Sequence, residues 1–218
     1  NSANIPINSK IRPQGYCAHR GGFGVRPYFR GLNFVNLYPA AFTHLEEIKG
    51  SSDHNIVSGI LADKDENLWL STDGGGIVHY NKEQEFIESY NTYHVPYIAS
   101  NSTLQMTFDD KERLWVGTYF GGLQCIETDK QRVTIYHHDE NDSTSVASNV
   151  VWSVMRDSKN QIWLGTQEGV SRFNKETNSF VNYTKDNTKM TNDNVRVVHE
   201  DKLGQYWIGS VSYTHLRA

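Results

Sequence analysis

The chain has 218 residues, with 21 Lys and Arg against 25 Asp and Glu, a formal net charge of −4 and 37% hydrophobic content. That length holds one large β domain with a core of its own. A slightly acidic balance without basic clusters argues against nucleic acid as a partner, and no apolar run approaches the roughly 20 residues of a membrane helix.

Neither an initiator methionine nor a signal-peptide pattern stands at Asn1, so the chain reads as a piece of a longer protein. Residues 1–30 carry no repeat and remain unassigned, and Gly21-Gly-Phe-Gly24 is too little for a phosphate loop. Cys17 and Cys125 have neither metal-ligand nor redox spacing and read as free or buried thiols. At Gly31 a pattern starts faintly. Phe42 follows Gly31 by eleven residues, as Val133 follows Gly122 and Phe180 follows Gly169. Residues 31–45 therefore predict the last two strands of a degenerate unit.

The pattern then becomes explicit. Asp63 precedes Trp69-Leu-Ser-Thr72, Asp109 precedes Trp115-Val-Gly-Thr118, Asp157 precedes Trp163-Leu-Gly-Thr166, and Asp201 precedes Trp207-Ile-Gly-Ser210. The aspartate always lies six residues before the tryptophan, and the tryptophans are spaced by 46, 48 and 44 residues. A period of that size marks a repeat architecture.

Each copy predicts four short strands. An apolar run such as Val150–Met155 comes first, then an Asp-x-x-[Glu/Asn/Gly] turn in which the aspartate caps its own loop. The tryptophan segment is the second strand, Ile77–Tyr80, Leu123–Ile126 and Val170–Phe173 the third, and Phe86–Tyr90, Val133–Tyr136 and Phe180–Tyr183 the fourth. A four-stranded meander repeated at this interval is the blade of a β-propeller. One such sheet cannot bury both faces alone, so blades stack around an axis. Trp69, Trp115, Trp163 and Trp207 are expected in the buried layer between blades, and Asp63, Asp109, Asp157 and Asp201 in the turns. Full blades are predicted at 55–92, 101–138 and 149–185, with a two-stranded half blade at 193–210. Residues 211–218 lack the glycine and aliphatic strand that the repeat demands, and they read as a non-native tail.

The phrases Ala99-Ser-Asn101 and Ala147-Ser-Asn149, the Asp…Trp-aliphatic-Gly-Thr run, and the linker His137–Asn149 resemble the two-component regulator propeller repeat over about residues 31–210. Ser71 departs from the pattern, where the other copies have glycine. The resemblance implies a ligand-sensing region of a bacterial hybrid histidine kinase, periplasmic, with the remaining blades and the kinase elsewhere in the protein. It also implies about seven blades per propeller, which leaves this chain as an incomplete arc. Exposed edges of such an arc invite association, including a homodimer. The ligand implied is an oligosaccharide.

No catalytic residue or cofactor is expected in this region. His137-His-Asp-Glu140 has neighbouring ligands on a flexible acidic linker but not the spacing of a zinc site. No Gly-x-Ser-x-Gly elbow or Cys–His framework occurs. A propeller glycan lyase or hydrolase and a protein-binding scaffold are the competing readings. The Asp…Trp run differs from the hydrolase Asp-box, where glycine follows aspartate by two residues and tryptophan by five. In a meander, the loop between strands two and three opens on the same side as the linker to the next blade. The loops at 72–76, 118–122 and 166–169 thus share a face with linkers 91–102, 137–149 and 184–194. Tyr119 and Phe120 place aromatics where no core position requires them, and Asp73, Gln167 and Glu168 add hydrogen-bonding groups. These five are the candidate ligand residues, with Tyr93, Tyr97, His137 and His138 completing a rim.

Overall fold

The structure, a computed structural model, describes residues 56–211 throughout, and before them only the backbone of four short strands. Those strands are β1 (Gly15–Ala18), β2 (Gly22–Val25), β3 (Leu32–Asn36) and β4 (His44–Leu45), which form one antiparallel sheet in chain order. This corrects the expected half unit at 31–45. Two further strands come from the stretch that carried no assignment, because β2 lacks the Asp…Trp signature by which the other second strands are recognised. The readings on Cys17 and on residues 212–218 lie outside the described residues.

From residue 56 onward four sheets follow. They are β5 (Val57–Ala62) to β8 (Phe86–Tyr90), β9 (Thr103–Phe108) to β12 (Arg132–Tyr136), β13 (Val151–Arg156) to β16 (Ser179–Tyr183), and a two-stranded sheet of β17 (Val195–Glu200) and β18 (Tyr206–Ser210). Between them lie β6 (Leu68–Thr72), β7 (Gly76–Tyr80), β10 (Leu114–Thr118), β11 (Leu123–Glu127), β14 (Ile162–Thr166) and β15 (Gly169–Asn174). Every pairing is antiparallel and joins consecutive strands. The first strands β5, β9, β13 and β17 neighbour one another in succession. They therefore form the inner edge of a fan of sheets. This is propeller architecture, built as an arc.

The repeating residues explain the local folding. In each turn the aspartate accepts two backbone amides and the indole N–H. Asp157 takes the amides of Lys159 (2.9 Å) and Gln161 (2.7 Å) and the Trp163 Nε1 at 2.8 Å. Asp109 does the same for Lys111, Arg113 and Trp115, at 2.9, 3.0 and 3.0 Å. The tight turn and the tryptophan rotamer are thus fixed by one carboxylate. The residue three places after the aspartate has a positive φ in all four copies: Glu66, Glu112, Asn160 and Gly204.

Sheets pack through the tryptophan. Trp69 meets Phe108 edge-on at 5.9 Å, Trp115 lies 4.8 Å from Phe173, and Trp163 lies 4.7 Å from Tyr206, each across to the following sheet. Around Trp115 the seam is completed by Leu123, Val146, Val151, Ile162 and Leu164, all fully buried. Burial of the four tryptophans is graded. Trp69 and Trp115 are 2% and 0% exposed, Trp163 is half-buried, and Trp207 is 61% exposed. The expectation of uniform burial thus fails at Trp207. Its register and its bond to Asp201 (2.8 Å) are those of the others. What differs is that no described sheet follows β18 to cover it.

Glycine in the Trp-aliphatic-Gly-Thr run has a steric cause. A Cβ at Gly165 would stand 2.9 Å from the Val195 carbonyl oxygen, and one at Gly117 would stand 2.6 Å from that of Val151. The next inner strand packs directly on this backbone. Ser71 meets the same demand differently, since its hydroxyl donates to the Leu104 carbonyl of the neighbouring strand.

Candidate functional site

The threonine that ends each second strand shapes the loop beyond it. Thr72, Thr118 and Thr166 donate their hydroxyls to the carbonyls of Gly76 (2.8 Å), Gly122 (2.7 Å) and Gly169 (2.8 Å). The loops so closed are then bonded to the linkers. Gly76 N–H donates to the Asn101 carbonyl at 2.8 Å and Gly122 N–H to that of Asn149 at 2.9 Å, while Gln167 N–H donates at 3.0 Å to the carbonyl of Val150, the residue just after linker 137–149. Inner loops and linkers therefore lie on one face. The asparagine of Ala-Ser-Asn closes the linker itself: Asn101 Oδ1 accepts the Thr92 amide, and Asn149 Oδ1 that of His138, both at 2.8 Å.

On this face Ser102 joins two of the candidate groups. Its hydroxyl donates to Asp73 at 2.6 Å, and its carbonyl accepts the Tyr119 amide at 2.9 Å. Tyr119 and Phe120 are 41% and 67% exposed, with ring centroids 4.3 Å apart. Phe120 has φ +65°, a left-handed conformation that a bulky residue adopts only under constraint. Gln167 and Glu168 lie on the corresponding loop of the next sheet, with exposed side chains. The structure brings Asp73, Tyr119 and Phe120 together around Ser102, with Gln167 and Glu168 one sheet further round.

The rim residues divide. Tyr93 and Tyr97 are 69% and 55% exposed on their linker. His137 and His138 are held instead, with ring nitrogens 3.3 Å from Asn149 Oδ1 and 2.8 Å from the Val146 carbonyl. Among the described residues no group of three or more His, Cys, Asp or Glu side chains could hold a metal ion.

Two residues of this neighbourhood escaped the sequence reading. Trp152 lies 5.7 Å from Tyr119, and the Arg196 guanidinium sits over the Trp152 ring at 3.5 Å. A fifth tryptophan, outside the Asp…Trp register, was the available signal. Cys125 is buried, and desolvation pushes its thiol up to about 12, which makes it unreactive at neutral pH. The cavity of about 320 Å³ lined by Lys159, Asn160, Gln161 and Arg172 opens elsewhere, beside the Asp157 turn.

Residues 145–168 match the family model of the two-component regulator propeller. Histidine kinase P4 of Formosa agariphila is 30% identical over 172 residues, which are 76% of this chain and 12% of that protein. The extracellular domain of the hybrid two-component system BT3049 from B. thetaiotaomicron matches with a TM-score of 0.73 at 20% identity, over 90% of this chain and 26% of that one. Virginiamycin B lyase from Staphylococcus aureus matches with a TM-score of 0.68 at 13% identity, over 89% and 61%. At such identities the likeness to solved structures shows the fold alone, and that fold is the β-propeller. The chain spans only an eighth or so of its curated relative, 12%. It carries a two-component regulator propeller repeat at residues 145–168.

Proposed function

We propose that this run of two-component regulator propeller repeats is part of the ligand-sensing region of a bacterial hybrid two-component sensor kinase, lying outside the cytoplasm and responding to an oligosaccharide. The repeat family and the match to a histidine kinase support the signalling assignment. The extracellular neighbour supports the location, and no helix among the described residues is long and apolar enough to cross a membrane. Kinase chemistry would reside in other parts of the protein, and the further blades would be this chain's first partners. The proposal assigns no catalytic residue to this region.

The observation that carries the ligand reading is the Tyr119–Phe120 pair, exposed and constrained on the loop face. Exposed aromatics give a sugar ring an apolar platform, while Asp73, Gln167 and Glu168 offer oriented polar groups beside it. The test is autophosphorylation of the whole protein in membrane vesicles, with and without oligosaccharide mixtures. A mixture should change the rate, and Tyr119→Ala/Phe120→Ala should abolish that response while the basal rate persists. A response that survives the double substitution overturns the site, and no response to any mixture overturns the function.

A further inference from the structure

The inner strands share an irregularity that the repeat pattern does not announce. Register shifts fall between Val57 and Gly59, between Val151 and Ser153, and between Val195 and Val197, leaving Ser58, Trp152 and Arg196 as the bulged residues. In the β9–β12 sheet the shift lies opposite Gly117 and leaves Leu104 and Gln105 between the paired residues Thr103 and Met106. A bulge thus recurs near the loop-face end of each first strand from β5 onward. The residues before it, Val57, Thr103, Val151 and Val195, are all buried. The bulged residues are half-buried or exposed and chemically unlike one another: Ser, Leu-Gln, Trp, Arg. A fixed frame presenting one variable side chain per blade is how bulges re-aim residues beside functional sites.

We infer that the bulge row is the specificity-determining part of the proposed ligand site, and that Trp152 and Arg196 select a sugar ring bearing an anionic group. This rests on the loop-face reading above. Tyr119, from the loop of one sheet, approaches Trp152 on the inner strand of the next, and Arg196 comes from the inner strand after that. Together they form a continuous aromatic and cationic surface across three sheets. Arg196 is exposed and joins no ion pair among the described residues. Held over the Trp152 ring at 3.5 Å, its guanidinium is a localised cation whose planar fork of N–H donors suits a carboxylate or sulfate. The Trp152 and Tyr119 rings offer the apolar face that a sugar ring packs against.

Calorimetric titration of the 218-residue chain tests this with three probes: a uronate disaccharide, a sulfated disaccharide and a neutral disaccharide. At least one anionic probe should bind about tenfold or more tighter than the neutral one, with the difference shrinking as salt rises. Arg196→Gln should bring that probe down to the neutral affinity without changing the neutral one. Trp152→Phe should keep the preference, and Trp152→Ala should weaken all binding. Equal affinity for all three probes, or a preference that survives Arg196→Gln, overturns the inference while leaving a Tyr119-dependent sugar site standing. Absence of binding by every probe overturns it as well, and circular dichroism of each variant separates lost binding from lost fold.

Discussion

The phenol of Tyr206 donates to Asp157 Oδ2 at 2.7 Å, crossing the seam between the last two sheets to the same oxygen that holds the Trp163 indole N–H at 2.8 Å. One carboxylate thus fixes the turn through Oδ1, and a core tryptophan and the neighbouring blade through Oδ2. Burial and the Asp157 charge push the Tyr206 phenol up to about 12, so it stays a donor at every ordinary pH. Tyr206→Phe should lower stability by about 1–2 kcal/mol, the usual scale for a hydrogen bond to a charged acceptor at a partly exposed site. Urea denaturation measures it. An unchanged midpoint would show that the seam does not depend on this bond.

The tryptophan series should separate by position along the arc. Trp115→Ala removes a fully buried ring between two sheets and should cost roughly 3–5 kcal/mol. Trp207→Ala removes an equivalent ring that no following sheet covers among the described residues, and should cost under about 1 kcal/mol. Denaturant melts of both variants check this. Equal losses would mean that Trp207 is covered in solution, by a second copy or by chain beyond residue 211.

Acid sensitivity follows from the four turn carboxylates. In Asp63, Asp109 and Asp157 burial acts to raise the pKa, but hydrogen bonds from the turn amides and indole outweigh it. In Asp201 the Trp207 indole is the first cause of the lowering. All four are depressed when folded. Their contribution is therefore complete above the unfolded value near ~4 and is lost as pH falls through the folded values. The melting temperature should be flat from about pH 7 to 5 and fall steeply below about pH 4. A paired Asp109→Asn/Asp157→Asn variant should be less stable at neutral pH and show a shallower fall. A variant as acid-sensitive as the parent would contradict the assignment.

Gly165→Ala should cost on the order of 1–3 kcal/mol by overpacking, because its Cβ would press on the Ser153 hydroxyl and the Val195 carbonyl. Gly204→Ala, with only the Glu200 carboxylate 4.0 Å away, suffers no clash and feels only its φ of +75°. The two melting temperatures side by side test whether close approach of the inner strand explains glycine in the repeat.

Much of this arrangement was legible in the sequence because it is local. Aspartate, turn and tryptophan lie within six residues of one another, so their mutual bonds recur as a spacing. The threonine that caps the loop sits three residues on and is equally visible. The first two strands of the first sheet were not legible, since β-pairing of Gly15–Ala18 with Gly22–Val25 is backbone chemistry and leaves no side-chain signature there. Nor was the contact of Trp152 with Arg196, which joins residues on separate inner strands and depends on bulges that no residue type encodes. Trp207 was misjudged for a related reason. Its register is local, but its burial belongs to a neighbour.

On the proposed function, ligand is read on the face of the inner loops and bulged strands, and not on the face of the aspartate turns. Hydrogen–deuterium exchange on the chain with and without saturating oligosaccharide tests this directly. Protection should appear in segments 73–76, 119–122, 151–153, 167–169 and 195–197, with the turns at 110–113 and 158–161 unchanged. Protection confined to 158–161 and 172–176, around the cavity beside the Asp157 turn, would contradict it.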